Sequence, residues 1–173
     1  MFHSARTHRR AVTTLIATMA LATAFVVAGA GPLAAQGSSK KPTLVGSWLE
    51  TVIFPPEFGR PPLKSLSSYH SDETMSCTDQ GNVTLDPANV YSACHGAWKQ
   101  LDKHTYAYTA RELISDLSGN LVGYLKFRGV YTLSSSGNEY TGTTLADILD
   151  TDGNVLASVE VANAGERIQV ELP

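Results

Sequence analysis

Between residues 95 and 150 the chain repeats one device: a run of alternating side chains, then a short turn rich in Asp, Ser, Gly and Asn. Thr105–Asp116 carries Tyr106, Tyr108, Ala110, Glu112 and Ile114 on one parity and Thr105, Ala107, Thr109, Arg111 and Leu113 on the other. Period two is the mark of a half-buried strand. Leu121–Leu133 sets Leu121, Leu125, Phe127, Tyr131 and Leu133 on one face with Gly123 and Gly129, against Tyr124, Lys126, Arg128 and Thr132 on the other. That is an apolar-in, polar-out strand, with glycines suited to bends or close backbone approach. Glu139–Leu149 follows as a third strand. Gly-Asn recurs at 81–82, 119–120, 137–138 and 153–154, supplying residues that accept positive φ in tight turns. A hairpin-linked meander follows.

Upstream, His3, Arg6, His8, Arg9 and Arg10 precede an uncharged stretch over residues 11–30, and small residues cluster at 28–30 and 33–35. A basic region, an apolar region and a small-residue zone compose a secretory signal, cleaved after Ala35 or Ala30. An uncleaved anchor is the competing reading, since the apolar stretch is about long enough to span a bilayer. Its Ala and Thr content makes it weakly hydrophobic, which favours cleavage of residues 1–35. Export places the protein in the periplasm or outside the cell. No other segment is apolar enough to cross a membrane.

Cleavage takes away three arginines and no acids, so the formal charge moves from −3 to −6. An acidic mature chain argues against nucleic acid or an anionic membrane surface as partner. The 138 residues that remain suffice for one domain with a core. Cys77 and Cys94 both fall in the exported part, and an even count in an oxidising compartment predicts a disulfide. Their spacing fits neither a zinc site nor a Cys-x-x-Cys redox motif.

Residues 36–43 read as a polar, flexible lead-in, and residues 44–173 as a single β-barrel domain. The first strand lies at 44–54. Pro55, Pro56, Gly59, Pro61 and Pro62 forbid regular pairing and predict an ordered loop at one mouth of the sheet. Leu63–Tyr69 and residues 74–78 are short strands. Residues 79–93 read mainly as a long loop, with Val83, Thr84 and Leu85 able to continue a strand. His95-Gly-Ala-Trp98 starts the next strand. After the meander, residues 155–162 alternate, and Gly165 leads to a last strand at 167–172. No amphipathic helix is predicted. Eight or nine short strands in sequence favour a closed antiparallel up-and-down barrel, because closure removes the sheet edges.

Gly46-Ser47-Trp48 matches the Gly-x-Trp of the first lipocalin strand, and Arg167 stands in the last strand. On these residues the chain resembles the calycin superfamily, which includes lipocalins and fatty-acid-binding proteins. The resemblance implies that Trp48 and Arg167 form a cation–π closure of the barrel floor, structural rather than catalytic. With His95-Gly-Ala-Trp98 and the Asp-x-x-Gly turns, the chain also looks like small exported bacterial proteins of unassigned function.

Catalytic motifs are scarce. His70, His95 and His104 are scattered, with no metal-ligand spacing. His95, at a strand start beside the predicted disulfide, is a general acid or base only if a carboxylate or ligand faces it. Glu112 is the most suggestive acid, for it shares its parity with Tyr106 and Tyr108. If that face is inward, its carboxyl stands in the lumen with a raised pKa unless paired; if outward, it is merely exposed. Asp150-Thr-Asp152-Gly-Asn154 reads as a hairpin turn rather than a calcium loop. No metal or cofactor site is read. Trp98, Tyr106, Tyr108, Glu112, Phe127 and Tyr131 form the candidate ligand-binding set.

The preferred expectation is a secreted barrel that binds a small apolar or amphipathic molecule. A cyclase- or isomerase-type enzyme on the same barrel is the first alternative. A side-chain-filled barrel acting through the loops at 55–62 and 79–93 is the second. An open lumen with a polar group favours the first two.

Overall fold

The computed structural model describes residues 42–80 and 87–173. The leader read at 1–35, most of the lead-in, and the 81–85 segment with its Gly-Asn pair lie outside the described residues. The strands are β1 (Gly46–Ile53), β2 (Leu63–Tyr69), β3 (Thr74–Asp79), β4 (Asn89–Tyr91), β5 (Cys94–Gln100), β6 (Thr105–Asp116), β7 (Leu121–Leu133), β8 (Glu139–Leu149) and β9 (Val155–Arg167). Each neighbouring pair is antiparallel, and β9 returns to pair with β1 through Trp48↔Arg167 and Glu50↔Gly165. Pairing of β6 with β7 completes the ring. β4 and β5 both pair along the same strand, β6, through Tyr91↔Ile114 and His95↔Arg111. They act as one interrupted strand, so the barrel has eight staves.

The turns explain themselves chemically. In the β6–β7 turn, Oδ1 of Asp116 accepts the backbone N–H groups of Ser118 and Asn120, while Oδ2 accepts from the Asn120 side chain. Asp150 does the same for Asp152 and Asn154 in the β8–β9 turn. Gly119 and Gly153 take the left-handed φ values of 85° and 88° that these five-residue turns require. Asp150 therefore spends both carboxylate oxygens inside its own hairpin.

Two expectations are corrected. Residues 155–167 form one continuous strand, not two separated at Gly165. Gly165 instead lies beneath the ring of Tyr140, its register partner on β8. Nothing beyond Arg167 is strand. The proline-rich loop after β1 also holds a short 3₁₀ turn, Pro56–Phe58, where Pro at the first position is compatible with helical φ.

The even parity of β6 faces inward, as do Trp48, Glu50 and Val52 of β1 and Leu63, Ser65, Ser67 and Tyr69 of β2. Lys126 and Arg128 face out. There Arg128 donates to Asp147 at 2.6 Å, and Asp147 also accepts from Ser158.

One end of the barrel is filled. Trp48, fully buried, donates from Nε1 to the carbonyl of Leu44 at 2.9 Å. The Arg167 guanidinium carbon lies 4.3 Å from the Trp48 ring. A chain of ring contacts then runs from Trp48 to Tyr140, Tyr131, Tyr108, Tyr69, Trp98 and Tyr106. Among the described residues these rings plug the floor and leave the other end open.

Candidate functional site

Above the aromatic plug the lumen opens into a cavity of about 190 Å³. Its upper wall is apolar: Val52, Phe54, Phe58, Leu63, Leu125, Phe127, Ile148 and Val159 stand toward the mouth. Pro56–Phe58 brings Phe58 against Phe54, with ring centroids 6.5 Å apart, and Arg60 places its guanidinium 5.7 Å from the Phe54 centroid. The proline-rich loop thus lines one side of the entrance.

The lower wall is polar. Glu50, only 4% exposed, points into the lumen from the middle of β1. Its Oε1 accepts from the Tyr131 hydroxyl at 2.8 Å and from Nδ2 of Asn163. Its Oε2 accepts from Ser67 at 3.2 Å. The Tyr131 hydroxyl stands 3.0 Å from that of Tyr108, which lies 2.8 Å from Thr144 Oγ1. A continuous chain of hydroxyls therefore ends on one buried carboxyl. Burial raises the pKa of Glu50, and the hydrogen bonds from Tyr131, Ser67 and Asn163 hold it back. Tyr108 and Tyr131 are pushed above the usual phenol range, first by burial and then by neighbouring negative charge, Glu50 included.

Strand register makes this cluster. Tyr108 of β6 pairs with Gly129 of β7, Tyr131 of β7 with Gly142 of β8, and Tyr140 of β8 with Gly165 of β9. Each ring occupies space that a β-carbon on its partner would need. The glycines let three phenols lean sideways across the floor instead of standing upright.

Among the predicted ligand-contact residues, Tyr108, Phe127 and Tyr131 lie on the cavity wall. Trp98 and Tyr106 sit in the plug, where Trp98 donates to the carbonyl of His70 at 3.0 Å. Glu112 faces inward and is 1% exposed, but it stands beside the disulfide rather than on the cavity wall. Cys77 and Cys94 are bonded to each other across directly paired positions of β3 and β5. A Glu112 oxygen lies within 4.8 Å of both sulfurs. Neither Glu112 oxygen has a hydrogen-bond partner among the described residues. Desolvation, reinforced by the charge of Asp79, pushes its pKa up to about 8. His95 is exposed, opposite Arg111 on the outer surface. Trp48 and Arg167 sit together at the floor.

Sequence reasoning passed over Glu50, Ser67, Thr144 and Asn163. A signal for Glu50 was present: two residues beyond Trp48, it shares that residue's inward parity. Ser67, Thr144 and Asn163 are ordinary strand residues, and only register brings them to one carboxyl.

No family model matches the chain, and no curated protein or solved structure matches it either.

Proposed function

We propose that this protein is an exported, calycin-like barrel that holds one small apolar or amphipathic molecule in its lumen. The observation carrying this reading is the open cavity itself, apolar toward the mouth and hydrogen-bonding at its base. A dry apolar cavity of about 150 Å³ can hold a single benzene ring, so about 190 Å³ suits one ring with a short substituent. Apolar walls provide the driving force, and the Glu50 cluster orients the polar end. The lumen's open volume weighs against a side-chain-filled barrel working only through its loops. Export is supported by the disulfide, since such bonds persist in oxidising compartments. The Trp48–Arg167 contact matches what the calycin resemblance implies.

A second reading, an enzyme of the cyclase or isomerase kind, is favoured by the hydroxyl chain from Thr144 through Tyr108 and Tyr131 to Glu50. A carboxyl of raised pKa facing an apolar cavity can hold or move a proton.

Native mass spectrometry of protein purified from its export compartment, before and after denaturation, tests the binding reading. A retained small molecule released on unfolding is the expected result. A protein that stays free of any mass shift, even when incubated with millimolar single-ring apolar compounds, overturns it. Turnover of a bound compound that disappears in Glu50→Gln, with binding retained, would move the assignment to the enzyme.

A further inference from the structure

We infer that the lumen selects a protonated amine: a small ammonium compound bearing an aromatic ring or short alkyl chain, its N–H⁺ group seated on Glu50. This rests on the reading of the lumen as a ligand cavity and specifies the chemistry of its occupant.

Three features of the site converge on a cation. The partners that meet Glu50 are the Tyr131 hydroxyl, the Asn163 amide and the Ser67 hydroxyl, all neutral groups disposed as donors. Such convergence of donors suits an ionised carboxylate, which only accepts. Yet no countercharge meets it. Among the described residues Glu50 is met by neutral donors, and the Arg128–Asp147 ion pair lies on the outer face. A buried carboxylate supplied with hydrogen bonds but no opposite charge carries a desolvation cost that an entering cation offsets.

The surroundings narrow the class further. Tyr69, Tyr108 and Tyr131 line the cavity beside Glu50. Electron-rich rings attract an ammonium group as well as covering its carbon skeleton. An anionic ligand would set like charge against Glu50. A neutral alcohol could donate one hydrogen bond but would leave the charge uncompensated. The other charged side chains on the wall are Asp79 and Arg60, and the Arg60 guanidinium sits over Phe54 near the mouth. Both carboxylates of the wall, Glu50 and Asp79, favour a cation over an anion, and the cavity volume limits the apolar part to about one ring.

Isothermal titration at pH 7.5 with 2-phenylethylamine and its near-isostere 2-phenylethanol tests this. The expected result is amine affinity at least about tenfold above that of the alcohol. Glu50→Gln should reduce the amine-over-alcohol ratio to less than about twofold, whatever it does to the two affinities singly. Carbon-13 NMR of the Glu50 carboxyl in the wild-type protein is a second readout, independent of whether the variant folds. The amine should shift that resonance and the alcohol should not. Equal affinity for the two compounds, or a preference that survives in Glu50→Gln, overturns the amine assignment and leaves the ligand-cavity reading standing. Binding of neither compound at millimolar concentration overturns both.

Discussion

Tyr108 lies across Gly129, its register partner on the neighbouring strand, so closely that a β-carbon there would collide with Cε1 of the ring. The same relation recurs at Tyr140 and Gly165. The two pairs differ in one respect that matters: Tyr108 lines the cavity and Tyr140 does not.

Gly129→Ala must therefore push Tyr108 toward the lumen. Overpacking of this kind costs about 1–3 kcal/mol, and here it also narrows the cavity. Gly165→Ala should lose comparable stability through Tyr140 while leaving cavity volume nearly unchanged. Urea denaturation paired with titration of a bound single-ring compound separates them. Both variants should unfold earlier, and Gly129→Ala alone should also bind much more weakly.

Arg167 closes the floor with more than its charge. Nε donates to the carbonyl of Gly137 at 2.8 Å, Nη1 to Val45 at 2.7 Å and Nη2 to Thr43 at 2.5 Å, while the guanidinium lies over Trp48. Lysine retains the charge but cannot span three carbonyls with a fixed fork. Arg167→Lys should cost about 1–3 kcal/mol, most of the effect of Arg167→Met. A shift in the urea midpoint measures it. Near-wild-type stability of the lysine variant would show that charge over Trp48, not the fork, holds the floor.

The Cys77–Cys94 bond closes a loop across 17 positions of sequence. Constraining the unfolded chain by such a loop contributes about 3 kcal/mol. Reduction, or the double change to alanine, should lower the thermal midpoint accordingly. Thermal unfolding with and without a phosphine reductant measures the change, and the double variant should show no further response to the reductant.

Glu112 makes stability depend on pH in a direction unlike most carboxylates. Its pKa rises from an ordinary 4.5 to about 8 in the folded protein, because it is buried and Asp79 is near. Below pH 4.5 both folded and unfolded chains hold the proton, and the shift has no effect. Between 4.5 and 8 the unfolded chain releases it while the folded chain keeps it, so stability falls as pH rises. Above about 8 the loss is complete, on the order of 5 kcal/mol. Glu112→Gln should remove this slope and be the more stable protein at pH 8. Urea denaturation across pH 5–9 tests it, and parallel profiles for the two proteins would rule the assignment out.

Much of the barrel was legible in local chemistry. Alternation over Thr105–Asp116 and Leu121–Leu133 assigned inward and outward faces, because side chains in a strand have no third direction to take. The Asp-x-x-Gly-Asn turns marked two hairpins, since the aspartate satisfies the turn's own backbone N–H groups. A break at Gly165 was the misreading: glycine signals a bend or close packing with equal ease, and the neighbour that separates the two is Tyr140, 25 residues earlier.

What sequence determined by itself, then, was parity, turn position and the pairing of the two cysteines. What tertiary structure decided was depth. Glu50 and Glu112 both face inward, and nothing local distinguishes them. Stagger between staves places Glu50 beneath the open cavity with Tyr131, Ser67 and Asn163 around it. It places Glu112 behind that wall, against a disulfide. Height along a barrel is set by the register summed around all its strands, and no single strand contains that sum.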